Sequence, residues 1–206
     1  ACIIAAAGER GVGGSHLAFE HIQIAFHSGS SESIIKVIRA AATGTMPDST
    51  KSLLCSSRLV ALCKKDGGAR PIAVGDCIRR IAMKVVCKTK ATEFSKYFTT
   101  KVRGVTPAQL GIAYSSGMDT ATKLLRLHTQ MHPDHVLISN DFKNAFNSVT
   151  RASIFKALAD GPFADLLPTA KYFYGHHSHL YFDQRRLGVD STTGAQQGDP
   201  LGPFLF

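Results

Sequence analysis

The spacing of hydrophobic residues along the chain predicts both helices and strands. Between residues 33 and 42 the apolar side chains recur every three or four positions and Gly44 follows as a stop, which is typical of an amphipathic helix. Residues 57–64 and 69–74 are short apolar runs separated by an Asp-Gly-Gly sequence, which predicts two strands joined as a hairpin. The first part of the chain therefore combines a packed helix with a β-hairpin.

The remaining sequence continues this mixture, so the fold class we expect is α+β. Helical spacing recurs in the segments that begin at Gly75 and Gly117 and in residues 151–159. Residues 180–182 and 187–189 predict two more strands. The β-branched run at residues 135–138 predicts a buried strand, which would put Asp141 at or near its carboxyl end.

Composition places the chain among globular proteins. Its 206 residues are 44% hydrophobic, enough for one core or for parts of two subdomains. No apolar run reaches the roughly 18 residues that span a bilayer, and the five widely spaced cysteines include no C-x-x-C pair. We expect an intracellular protein, in the nucleus or the cytoplasm, with reduced thiols and no membrane role. Because the chain runs from Ala1 to Phe206 without a starting Met, we expect a piece of a longer polypeptide.

The net charge of +9 is concentrated in one window. Residues 64–103 hold eleven of the 24 basic residues and three of the 15 acidic ones, which accounts for eight of the nine net charges. A concentrated basic zone suits a polyanion such as a nucleic acid or a triphosphate. A solvated helix face explains such a run equally well when the charge is considered alone.

Three stretches combine turn residues with side chains capable of chemistry. Residues 140–149, NDFKNAFNSV, carry Asp141, although a lone Asp after a strand is most often a turn or cap residue. Residues 194–203, GAQQGDPLGP, carry a Gln-Gly pair before a proline. Residues 64–72, KKDGGARPI, place Arg70 beside a hairpin tip, where a planar guanidinium can bind a phosphate with two hydrogen bonds.

Together and in this order, these stretches resemble the reverse transcriptase domain of non-LTR (LINE-like) retrotransposons. The first is similar to the palm motif D-x-x-x-A-F, the second to Q-G-x-P-L-x-P, and the third to the fingers hairpin that ends in R-P-I. The resemblance implies a polymerase right-hand fold with fingers and a partial palm, truncated before the catalytic hairpin. Residues 1–56 would form an N-terminal helical or loop extension, residues 57–103 the fingers hairpin and basic helix, and residues 104–206 the partial palm.

The resemblance also implies the ligands and the residues that bind them. The partners would be an RNA template, a DNA primer and a deoxynucleoside triphosphate (dNTP), and the cofactor would be two Mg²⁺ ions. Asp141 and the backbone carbonyl of Phe142 would bind magnesium, and Phe146 would exclude a ribose 2′ hydroxyl. The residues implied in nucleotide binding are Lys65 (or Lys64 in its place), Arg70, Ala145, Phe146, Gln197 and Gly198. Those implied in template and primer binding are Arg79, Arg80, Lys84, Pro200 and Leu201.

The family's remaining one or two catalytic carboxylates follow the Q-G-x-P-L-x-P helix and are not among these 206 residues. We therefore expect the parent protein to be a reverse transcriptase and the isolated chain to be inactive, with weak binding through its basic window. A group II intron maturase carries the same domain and is an alternative. A second alternative is a nucleic-acid-binding relic without catalysis. An RNA-dependent RNA polymerase is disfavoured, since it would usually have a small or polar residue at Phe146.

Overall fold

The chain forms two compact units in a computed structural model that describes residues 13, 15–63, 67–99, 109–182 and 187–206. The first unit, here the sheet unit, comprises Ala1–Val86 and Asn144–Phe206. The second, here the helical unit, is Cys87–Lys143. The division into extension, fingers and partial palm stays a prediction.

A four-stranded mixed sheet organises the sheet unit. Its strands are β1 (Ser57–Cys63), β2 (Ala69–Gly75), β3 (Ser178–Phe182) and β4 (Leu187–Ser191), in the order β2-β1-β3-β4. β1 and β2 pair antiparallel, as do β3 and β4, whereas β1 and β3 run parallel. The predicted hairpin and the two later strands are confirmed. With its helices, the sheet makes the fold class α+β.

Helices complete the core of the sheet unit. They are α1 (Phe19–Ala25), α2 (Ser31–Thr43), α3 (Lys51–Leu54), α7 (Ala145–Ser148), α8 (Arg151–Asp160), α9 (Leu167–Tyr174) and α10 (Gly202–Leu205), while α4 (Cys77–Thr89) begins here and ends in the helical unit. Single turns of π- or 3₁₀-helix occupy Phe26–Ser30, Asp48–Thr50 and Ala164–Leu166. The predicted cap of α8 is confirmed, since the Thr150 hydroxyl oxygen accepts the Ser153 N–H at 3.1 Å. None of the described helices is both long and apolar enough to cross a membrane.

The helical unit consists of the end of α4, α5 (Ala91–Thr99), α6 (Gly117–Met131) and the segment that follows α6. The helix predicted from Gly117 is confirmed. The buried strand predicted at residues 135–138 is wrong, because Val136 and Ile138 are 85% and 77% exposed and residues 135–142 have no regular secondary structure. The reason is physical: no described strand pairs with this segment, and an isolated extended segment gains no interstrand hydrogen bonds.

The cysteines give a simple check of the packing. Cys55 and Cys77 are buried, and burial raises the pKa of their thiols to about 11 and about 12, whereas Cys63 is exposed. Since the thiolate is the reactive form, brief alkylation at pH 8 should modify Cys63 and spare Cys55 and Cys77. Mass spectrometry before and after guanidinium unfolding measures this, and unfolding should speed labelling of the two buried thiols at least about 100-fold. Rapid labelling of Cys55 in the native chain would contradict the packing.

Candidate functional site

The Gln-Gly motif contacts the segments of the other two sequence motifs at one place in the sheet unit. The turn at residues 194–201 lies between β2 and α7. The backbone N–H of Ala73 on β2 donates to the carbonyl of Gln197 at 2.8 Å, and the N–H of Ala195 donates to the carbonyl of Phe146 at 2.8 Å. We call this place the motif junction, made of residues 72–73, residues 146–147 and the turn at 194–201.

Glycines allow the backbones at the motif junction to approach closely. Gly198 has φ +120°, and a Cβ added there would lie 2.5 Å from the carbonyl oxygen of Ala73. Gly194 has φ +69°, and its added Cβ would meet the backbone of Phe146 and Asn147. Both conformations are rare for residues with a side chain. The docking of the turn on β2 therefore requires glycine at position 198.

The buried carboxylate of Asp199 holds the turn from the side that faces the core. Oδ2 of Asp199 accepts from Nη2 of Arg79 at 2.6 Å and from the hydroxyl of Tyr174 at 2.6 Å, while Oδ1 accepts the Leu201 N–H at 2.9 Å. Arg79 and Tyr174 are 1% and 2% exposed. Burial alone would lower the pKa of Arg79, but the Asp199 carboxylate outweighs it and raises that pKa. The result is a hydrogen-bonded ion pair inside the core.

Gln196 ties the same turn to the first residues of two strands. Its side-chain Oε1 accepts the hydroxyl of Ser57 on β1 at 2.8 Å, and its Nε2 donates to the hydroxyl of Ser178 on β3 at 3.1 Å. All three residues are buried. Because buried amides are costly when unpaired, these bonds fix the start of the turn against the parallel β1–β3 pair.

Arg151 fixes the segment that enters the turn. From the start of α8, its guanidinium donates to the carbonyls of Gly194 and His176 at 3.3 and 2.8 Å and to the hydroxyl of Ser191 at 2.8 Å. Arg151 is buried, with 8% of its surface exposed. α8, β4 and the turn are therefore joined through one cation.

Apart from Lys65, the residues implied in nucleotide binding belong to the elements that form this junction, namely β2, α7 and the turn. Arg70 is exposed on β2, Ala145, Phe146 and Gln197 are half-buried, and Gly198 is exposed. Lys65 lies outside the described residues. Asp141 and Phe142 belong to the helical unit, where both are exposed.

Two of the residues implied in template binding are buried. Arg79 is buried in its pair with Asp199, and Leu201 is 1% exposed, so neither side chain presents a surface to a nucleic acid. Pro200 is half-buried and precedes α10, which begins at Gly202 rather than at the proline. Arg80 and Lys84 lie 4.7 and 5.4 Å from the centre of the Phe19 ring. The cationic groups of these two α4 residues therefore pack against Phe19, the first residue of α1.

No protein-family model matches this chain, and neither does any curated protein.

The described residues do not complete a two-magnesium centre. Across the described ranges, no three or more His, Cys, Asp or Glu side chains gather where they could hold a metal ion. Hard divalent ions need several oxygen ligands, and Asp141 supplies one carboxylate.

Sequence reasoning missed the interior of the junction, namely Tyr174, Gln196, Asp199 and the buried role of Arg79. One signal was present. Arg79 shares a helix face with Ala82, Met83 and Val86, three, four and seven residues later, and all three are buried. A charged residue on an apolar stripe predicts a buried partner of opposite charge, and Asp199 in its Gly- and Pro-rich motif is that partner.

Proposed function

We propose that this chain forms the fingers and part of the palm of an RNA-directed DNA polymerase of the non-LTR retrotransposon type. The observation that carries the proposal is the motif junction. The stretches that contain Phe146 and Gln197 each resemble a motif of this family, and Ala73 directly follows the third such stretch, residues 64–72. Backbone hydrogen bonds of 2.8 Å join Ala73 to Gln197 and Ala195 to Phe146. The proposed partners are an RNA template, a DNA primer and a dNTP, and the proposed compartment is the nucleus or the cytoplasm.

The exposed side of the junction offers groups for a nucleotide. Arg70 lies on β2 three residues before Ala73, which is bonded to the turn, and its exposed guanidinium suits a triphosphate. Gln197 and Gly198 offer a polar side chain and an accessible backbone on the adjacent turn. In this proposal Phe146, held by the bond of its carbonyl to Ala195, is the apolar wall against the sugar.

Two magnesium ions, when bound, would stabilise the attacking and leaving oxygens during transfer of a nucleotide to a primer 3′ hydroxyl. In this proposal Asp141 is a ligand of that centre and the remaining carboxylates come from sequence outside these residues. The described residues would bind and orient the nucleotide and the template.

A cleft in the helical unit favours a nucleic-acid partner as well. It has a volume of about 670 Å³ and lies along α5 and the loop before α6. Its lining residues include Ser95, Lys96, Thr99, Ser115 and Thr120 together with the apolar Ala91 and Ala113. Polar residues of these types are used to contact phosphate and sugar without reading sequence. This cleft also supports the second candidate function, a nucleic-acid-binding module without catalysis.

Nucleotide binding by the purified chain tests the proposal. Titration with magnesium-bound 2′-deoxyadenosine 5′-triphosphate should show saturable binding. Arg70→Ala should weaken it about tenfold, because it removes a charge-assisted hydrogen bond of roughly 1.5–3 kcal/mol at an exposed site. Arg39→Ala, which removes an exposed arginine from α2, is the matched control and should leave the dissociation constant unchanged.

The result also separates the two candidates. Binding of a primer–template duplex without any binding of the nucleotide would reject the polymerase proposal in favour of the binding module. Equal effects of the two arginine substitutions would show that Arg70 acts by general charge and does not hold the triphosphate.

A further inference from the structure

We infer that Tyr174, acting with Arg79 through the carboxylate of Asp199, positions the Gln197–Gly198 turn for the nucleotide. The inference rests on the proposed function for its ligand, while the positioning itself is a property of the fold. It gives Arg79 a role different from the template contact that the sequence implied.

The Tyr174 hydroxyl contacts both sides of the turn. It donates to Oδ2 of Asp199 at 2.6 Å and accepts the backbone N–H of Gln196 at 3.3 Å. Gln197 and Gly198 are the two residues between these contacts, and they are the more accessible part of the turn. One hydroxyl group thus fixes the residues on either side of the pair that would meet the nucleotide.

Arg79 holds the same carboxylate from a second element. Its guanidinium donates to Asp199 and to the carbonyl of Cys55 at 3.3 Å, and it lies 4.9 and 5.0 Å from the centres of the Phe173 and Tyr174 rings. These rings restrict its movement because a planar cation packs on aromatic faces. The Asp199 carboxylate is consequently fixed by α4 and α9 together.

On the side that faces β2, backbone groups hold the turn. Gln197 is held to β2 by the 2.8 Å bond from the Ala73 N–H, and Gly198 approaches the Ala73 carbonyl with no side chain of its own. If the Asp199 carboxylate moves, the Gln197 side chain is displaced relative to Arg70, which lies on β2. A loosened turn should therefore cost nucleotide affinity more than it costs affinity for a nucleic acid.

The neighbouring tyrosine provides a matched control. Tyr172 is also buried on α9 and its hydroxyl is also hydrogen-bonded, at 2.6 Å, but to Thr50 rather than to the turn. Tyr174→Phe and Tyr172→Phe each remove one hydroxyl from the same helix. Any general loss of stability should be similar in the two variants, whereas a positioning effect should occur in the first alone.

The experiment compares amide hydrogen exchange and nucleotide affinity in the full chain and both variants. Tyr174→Phe should speed exchange in the peptide covering residues 194–201 about tenfold and raise the dissociation constant of magnesium-bound 2′-deoxyadenosine 5′-triphosphate about tenfold. Its affinity for a primer–template duplex should change less than twofold, and Tyr172→Phe should leave the turn peptide and the nucleotide affinity as in the parent chain.

Each result has one interpretation. If both variants change exchange and affinity alike, the positioning role is overturned and the tyrosines are structural. If Tyr174→Phe alone speeds exchange in the turn but the parent chain binds no nucleotide, the positioning stands and the proposed function fails. If exchange in the turn is unchanged in Tyr174→Phe, the hydroxyl does not hold the turn and the inference is overturned.

Discussion

Replacing Arg79 with alanine is expected to lower the free energy of unfolding by about 3–5 kcal/mol, because it leaves the buried carboxylate of Asp199 without its cation. The side chains of both partners are 1% exposed, so water cannot replace the lost partner without opening the core. The carbonyl of Cys55 loses a donor as well. Denaturation in urea, followed by circular dichroism, measures the loss.

Two further variants test whether the loss of stability comes from the Arg79–Asp199 pair. Arg39→Ala removes an exposed arginine from α2 and should change the free energy of unfolding by less than about 0.5 kcal/mol. Asp199→Ala should cost about as much as Arg79→Ala, and the double variant should cost clearly less than the two added together, since the groups act on each other directly. Additive losses, or a loss below about 1 kcal/mol for Arg79→Ala, would show that the pair is not closed in solution.

Under the proposed function, Asp141→Asn is expected to lower the rate of primer extension at least about 10³-fold in the product of the whole reading frame that contains this sequence. A metal ligand contributes several kcal/mol of charge stabilisation in the transition state, and each 1.36 kcal/mol changes the rate about tenfold. The measurement is incorporation of dNTPs on an RNA template with a DNA primer and magnesium. The 206-residue chain alone should show no extension, because Asp141 by itself cannot hold two ions.

Asp134→Asn is the control for that experiment. It removes another exposed carboxylate from the same segment of the helical unit and should leave the rate unchanged. Retention of activity in Asp141→Asn would remove Asp141 from the proposed centre. Extension of a primer by the isolated chain would contradict the expectation that further carboxylates are needed.

The elements that the sequence predicted well are those whose signals are local. The β1–β2 hairpin has its glycines at the tip and apolar strands on either side, and α8 has its cap at Thr150. The segment at residues 135–138 failed because β-branched composition reports suitability for a sheet, while the formation of a strand also needs a neighbour. The sequence shows the β-branched composition, whereas the fold determines whether a neighbouring strand is present.

The same distinction explains what was missed at the site. The Gln197–Gly198 pair was identifiable as a motif, but its docking on Ala73 joins residues that are far apart in the chain. Arg79 was expected to contact the template together with Arg80 and Lys84, and charge alone does not reveal that Asp199 lies inside the core. The apolar residues on its helix face indicate that Arg79 is buried, whereas the identity of its partner is known only from the fold.

The parallel pairing of β1 with β3 bears on how the chain is made. Ser57 lies beside Leu180, so the edge of β1 that receives β3 stays unpaired until that part of the chain has been synthesised. At roughly 5–20 residues per second, this interval is on the order of 10 s. An open strand edge recruits other strands, and β2 covers only the opposite side. A ribosome that pauses before residue 178 would thus prolong the period in which nascent copies of this protein can aggregate.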